Sequence, residues 1–127
     1  GLLAEDCVDL LTDEGVVAFV LPTRSGAIVP RRVALDGSQT QLLLLEPDQP
    51  VPSLAWGETG FELEGLYSVS VGARAASMVA VPPTAVGSVV AAEFREGRLA
   101  LRFASPGLAA SVVAALQLLK PSVAVLR

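Results

Sequence analysis

The chain contains no histidine among its 127 residues. That removes the commonest general base and the commonest metal ligand together. One cysteine, Cys7, excludes an internal disulfide and a cysteine-based metal site. Lysine is nearly absent: the basic residues are eight arginines and Lys120, against 13 acids, for a net charge of -4. They form no basic run, which argues against nucleic acid as a partner. No apolar run reaches the roughly 18 residues that a membrane-spanning helix needs. Glu5, Asp6 and Asp9 stand where a secretory signal would carry positive charge, so none is expected. The start at Gly1 rather than Met allows for excision from a longer regulatory protein.

What is present is apolar. Hydrophobic residues make up 52% and charged residues 17%, against about 25% charged in ordinary soluble domains. The excess suits a thick core or a surface covered by a partner, and it excludes general disorder. The length suits one domain spanning residues 1–127, large enough to fold without staples.

The stretch Val16 to Leu35 organises the rest. Val16-Val17-Ala18-Phe19-Val20-Leu21 is apolar on both faces, as in a central strand buried on both sides. Pro22 ends it, Thr23-Arg24-Ser25-Gly26 supplies a turn, and Ala27 to Leu35 returns as a second strand. Before it, Leu2 to Glu14 has Leu3, Cys7, Leu10 and Leu11 at helical spacing, with Gly15 as a cap. After it, Asp36-Gly37-Ser38 reads as a turn and Gln41 to Leu45 as a short strand. The middle carries Pro47, Pro50 and Pro52, and Ser53 to Gly57 reads as one helical turn capped by Ser53. Phe61 to Val71, Ala75 to Val81, Ala85 to Phe94 and Leu99 to Phe103 are expected as strands. Ser105-Pro106 starts a helix that runs to about Lys120, where Pro121 ends it. Val123 to Leu126 suits a last strand or more helix. This order implies an α+β domain with helices segregated from one antiparallel sheet.

Several residues are candidates for chemistry. Trp56, Tyr67 and Arg74 are the expected ligand-binding set, two aromatic walls and an anion contact; packing with the polar atoms satisfied at an edge is the plainer account. Arg24, Arg31 and Arg32 around the first hairpin suit an anionic partner, or simply solvation. Glu62 and Glu64, two apart on one strand, would point the same way as an acid–base pair or an exposed face. Cys7 on an apolar helix face reads as a small buried hydrophobe. No catalytic residue, metal ligand or cofactor is expected.

Three stretches resemble the GAF domain family of small sensory modules. The opening LLAEDCVDLLTDEGVVAFVLPTRSGAIVPRRVALDG is similar to its first helix, strand, glycine-bearing turn and second strand. PSLAWGETGFELEG is similar to its short helix and T-G turn. ARAASMVAVPPTAVGSVVAAEF with FASPGLAASVVAALQLL is similar to its late strands and closing helix. The resemblance implies a sheet of about five to six antiparallel strands, with the N- and C-terminal helices packed together on one face. It implies a non-catalytic, cytoplasmic sensory or regulatory domain, binding a small molecule or protein and transmitting through its terminal helices as a homodimer. Features linked to cyclic-nucleotide binding are not recognisable, and Cys7 does not match a bilin-attachment cysteine. The alternative is a structural or interaction module of Roadblock or longin type; a Roadblock-like domain should have an amphipathic helix after the second strand.

Overall fold

The computed structural model describes residues 2–22, 26–51 and 60–127. Helix α1 is Ala4–Asp13; strands β1 Val16–Leu21, β2 Val29–Leu35, β3 Gln41–Leu45, β4 Gly60–Glu62 and β5 Leu66–Val71 follow. Then come α2 Gly72–Ala76, β6 Val89–Phe94, β7 Gly97–Arg102, α3 Pro106–Leu119 and β8 Ala124–Leu126. The fold is α+β, with one mixed sheet in the order β4-β3-β2-β1-β7-β6-β5-β8. Neighbours are antiparallel except β5 and β8, which run parallel.

The sheet is curled. Five strand spacings separate β4 from β6, about 24 Å in a flat sheet. Yet the Phe61 and Phe94 rings lie 4.9 Å apart. One hydrogen bond crosses the same seam, Glu62 N–H to Glu96 Oε2 at 2.9 Å, and next to it Arg95 N–H extends the β5–β6 ladder by donating to the Gly65 carbonyl at 2.9 Å. A Cβ on Gly65 would stand 3.0 Å from the Arg95 Cβ, so only glycine fits that approach unstrained.

The main core fills the concave side. Cys7, Val8 and Leu11 of α1 and Ala109, Val112 and Leu116 of α3 meet Val33, Leu35, Leu42, Val69, Phe94 and Leu101 there. The two terminal helices pack on each other, and Leu2 N–H donates to the buried Ser111 hydroxyl at 3.1 Å. Helix α1 ends because Gly15 takes a positive φ of 75° and donates to the Leu10 carbonyl. Helix α3 begins where the Ser105 hydroxyl accepts from Leu108 N–H at 3.1 Å. Between β2 and β3, the buried Asp36 carboxylate accepts from Thr40 N–H, Thr40 O–H and Gln41 N–H at 2.8, 3.0 and 3.0 Å.

Several expectations change. Among the described residues the sheet has eight strands rather than five or six, and it is not wholly antiparallel. The stretch Phe61 to Val71 is two strands parted by a 3-10 turn at Leu63–Gly65, and the tail adds β8. Ala75 to Val81 is not a strand: Gly72 turns the chain at φ 61°, and the alanines after it favour helix α2. Finally, β1 is not buried on both sides, since Val17 and Phe19 are 43% and 47% exposed. Ser53 to Gly57 lies outside the described residues.

Candidate functional site

Helix α3 is nearly all apolar, with Ser111 and Gln117 as its polar residues. Such a helix has more apolar surface than one core face uses. Its Leu116 side seals the main core, while small residues on its other flank leave a gap against the sheet margin. The result is a cleft of about 360 Å³. Ala109, Ala110, Val113 and Ala114 form one wall; Val71, Gly72, Val89 and Val90 form the other. Gln117 and Arg127 supply polar atoms at its border. A cleft near 300–1,000 Å³, mostly apolar with a few polar groups, has the character of a small-molecule site. The chemistry available is binding of an apolar body with an anionic or amide group toward Arg127 and Gln117.

Two adjoining depressions open elsewhere, sharing Glu64 and Lys120. One, of about 300 Å³, is lined by Gly65, Tyr67, Arg95 and Ser122. The other, of about 540 Å³, is lined by Gln39, Thr40, Glu62, Leu63 and Leu119. The Lys120 ammonium donates to the Glu64 carbonyl at 2.7 Å across them. Their walls are mainly charged or polar side chains, which water solvates well.

The expected ligand-binding set is not one site. Trp56 lies outside the described residues. Tyr67 is 60% exposed near the start of β5 and borders the first polar depression. Arg74 is exposed on α2, past the far end of β5, and lines none of these three hollows. A strand advances about 3.3 Å per residue, so β5 itself holds the two apart.

The remaining candidates resolve individually. Arg24 lies outside the described residues. Arg31 and Arg32 sit on opposite faces of β2. Arg31 reaches Glu46 at 3.7 Å. Arg32 is half-buried, and its guanidinium donates to the Glu14 carbonyl at 3.0 Å and to the Pro47 carbonyl. It is therefore a clamp between the end of α1 and the chain after β3, not a solvated side chain. Glu62 closes β4 and Glu64 sits in the turn beyond it, so the two do not share a strand face. Cys7 is buried, and burial pushes its thiol pKa up, as suits a packing residue. Among the described residues no cluster of three or more histidine, cysteine or acidic side chains could hold a metal.

The sequence pointed to aromatic residues, and the cleft is made of small ones. The available signal was the composition of α3, apolar around more than one face.

The fold thus defines an α+β domain with a curled mixed sheet and an apolar cleft beside its last helix. No family model matches the chain, and no curated protein does. Solved structures do. Inner Membrane Complex Sub-compartment Protein 1 from Toxoplasma gondii matches with a TM-score of 0.71 at 17% identity, over 93% of this chain and 90% of that one. Sub-compartment Protein 3 from the same organism matches with a TM-score of 0.62 at 15% identity, over 95% and 89%. At such identity the likeness is one of fold, and it says nothing of a GAF domain. No described helix is long and apolar enough to cross a membrane.

Proposed function

We propose that this chain is a non-catalytic binding domain of the sensory or regulatory kind, holding a small apolar molecule with an anionic or amide group in the cleft beside α3. The observation that carries this is the cleft itself, about 360 Å³ with small apolar walls and Gln117 and Arg127 at its border. The GAF resemblance supports the class of protein, a cytoplasmic ligand sensor, and the cleft supports the choice of α3 as the ligand's wall. Transmission runs through α3, which forms one wall and also packs on α1. A ligand biases the pair only by binding its two arrangements unequally.

The test is a thermal-shift screen against nucleotides, amino acids and small metabolites, run on the native chain and on Ala110→Trp. A ligand at a hundredfold excess over its Kd stabilises by about 2.7 kcal/mol. The native chain is expected to shift with one chemical class, and the tryptophan, placed in the cleft, is expected to abolish the shift. No shift from any class, or one that survives Ala110→Trp, overturns the proposal.

A second reading is an interaction module with no small-molecule ligand. The half-exposed Val17 and Phe19 favour it, since an apolar face in solvent suits a protein partner. Its Roadblock form needs a helix after β2, whereas the described chain there continues into β3.

A further inference from the structure

Among the described residues the convex face of the sheet is covered in two places and open between them. On one side the segment from α2 through Val81 covers Leu21, Val89, Ala91 and Ala100. On the other, Val51 packs on Ala34, Leu43 and Leu45. The strip left open is floored by Val17 and Phe19 of β1, with exposed Pro30 and Ile28 beside them. Strand register sets an arginine on each flank: Arg32 opposite Val17, and Arg102 opposite Phe19. Neither has a carboxylate partner among the described residues. The Arg32 guanidinium meets only main-chain carbonyls, and the Arg102 side chain has no hydrogen bond or ion pair there. An apolar strip with an unpaired Arg102 on one flank and Arg32, held on main-chain carbonyls with no carboxylate, on the other fits an acidic partner with apolar anchors.

The chain carries such an element itself. Asp6, Asp9 and Asp13 recur at helical spacing on the side of α1 opposite Cys7, Val8 and Leu11. All three are exposed, and none is ion-paired among the described residues. Just before the helix, Leu2 and Leu3 are 44% and 71% exposed. The spacings also correspond. Arg32 and Arg102 are two strands apart and two residues out of step, putting their Cα atoms about 12 Å apart. Asp6 and Asp13 are separated by seven helical residues, about 10 Å.

We propose that the chain associates head to tail, the acidic face of α1 in one copy docking on the arginine-flanked Val17–Phe19 strip of the next. Joining strip to strip would place four arginines in one interface, so a two-fold pairing through this surface is disfavoured. A head-to-tail contact uses two different surfaces and leaves one of each free. This association involves a different surface from the cleft and does not depend on a ligand there.

Sedimentation velocity on the whole chain tests it. At high micromolar concentration in about 50 mM salt, the mass should rise above the 13.1 kDa monomer, and about 500 mM salt should weaken the association about tenfold by screening. Two variants separate the surfaces: Phe19→Ser with Arg102→Ala spoils the strip, and Asp6→Asn with Asp13→Asn spoils the helix face. All four positions are solvent-facing or half-exposed, and unchanged melting by circular dichroism verifies that both variants fold. Each alone is expected to stay monomeric. Their equimolar mixture, which retains one intact strip and one intact helix face, is expected to form a dimer and nothing larger. A native chain that stays monomeric in low salt, variants that associate like the native chain, or a mixture that fails to pair overturns the proposal.

Discussion

Strands β1 and β6 are both interior strands with apolar runs, VVAFVL and VVAAEF, and they differ in what lies outside them. On the concave side both join the main core, through Ala18 in one and Val90, Ala92 and Phe94 in the other. On the convex side Val89 and Ala91 of β6 are fully buried, while Val17 and Phe19 of β1 stand in solvent. Strand chemistry therefore does not decide coverage. It is decided by a segment remote in sequence, 72–81, whose Ala75 and Val79 reach β6 and stop short of the middle of β1. An apolar run in a sheet can thus mean a second core layer or an unoccupied binding face.

The largest expected effect breaks the covered side. Ala91→Asp buries a carboxylate on the convex face of β6 beneath Ala75 and Val79, with Arg98 and Arg102 of β7 as diagonal neighbours that offset part of the burial, and should cost about 3 kcal/mol in urea unfolding. A loss below about 1 kcal/mol would mean that the α2 cover opens freely to water.

A smaller effect concerns the concave side. The Cys7 thiol has its pKa raised by burial above the ordinary 9.0. The unfolded chain then releases the thiol proton first, so stability is complete below pH 9 and falls as pH rises toward the folded-state value. Cys7→Ser should remove that part of the alkaline decline. An unchanged decline between native chain and variant would show that the thiol is not shielded there.

The smallest effect is on the bare side. Phe19→Thr puts a β-branched residue of high strand propensity in place of the half-exposed ring and should change stability by less than about 1 kcal/mol. A loss comparable to that of Ala91→Asp would show that the strip is covered after all, and the contrast between β1 and β6 would disappear.

Much of the fold was legible because local signals agree with it. Gly15 and Ser105-Pro106 mark the boundaries of α1 and α3, and Pro22 ends β1. Ala75 to Val81 was misread because a run of small apolar residues fits a buried strand and a covering helix equally well. Phe61 to Val71 was read as one strand because nothing local shows that Gly65 must lie against Arg95 from the β6–β7 turn. The cleft was missed for a related reason. Its walls are alanine, glycine and valine, and a space is made by what side chains omit, which depends on what they face. Tyr67 and Arg74 looked like one site because they are close in sequence, yet a strand carries them apart.

By itself the sequence determined the absence of histidine chemistry, the single domain-sized apolar chain, the two long helices and most strand positions, since composition, caps and periodicity are local properties. Tertiary structure alone decided that the sheet curls until Phe61 meets Phe94, that α2 covers β6 while β1 stays bare, and that α3 borders a cleft. Each of these depends on contacts between residues far apart in the chain, and no local preference encodes which distant segment arrives.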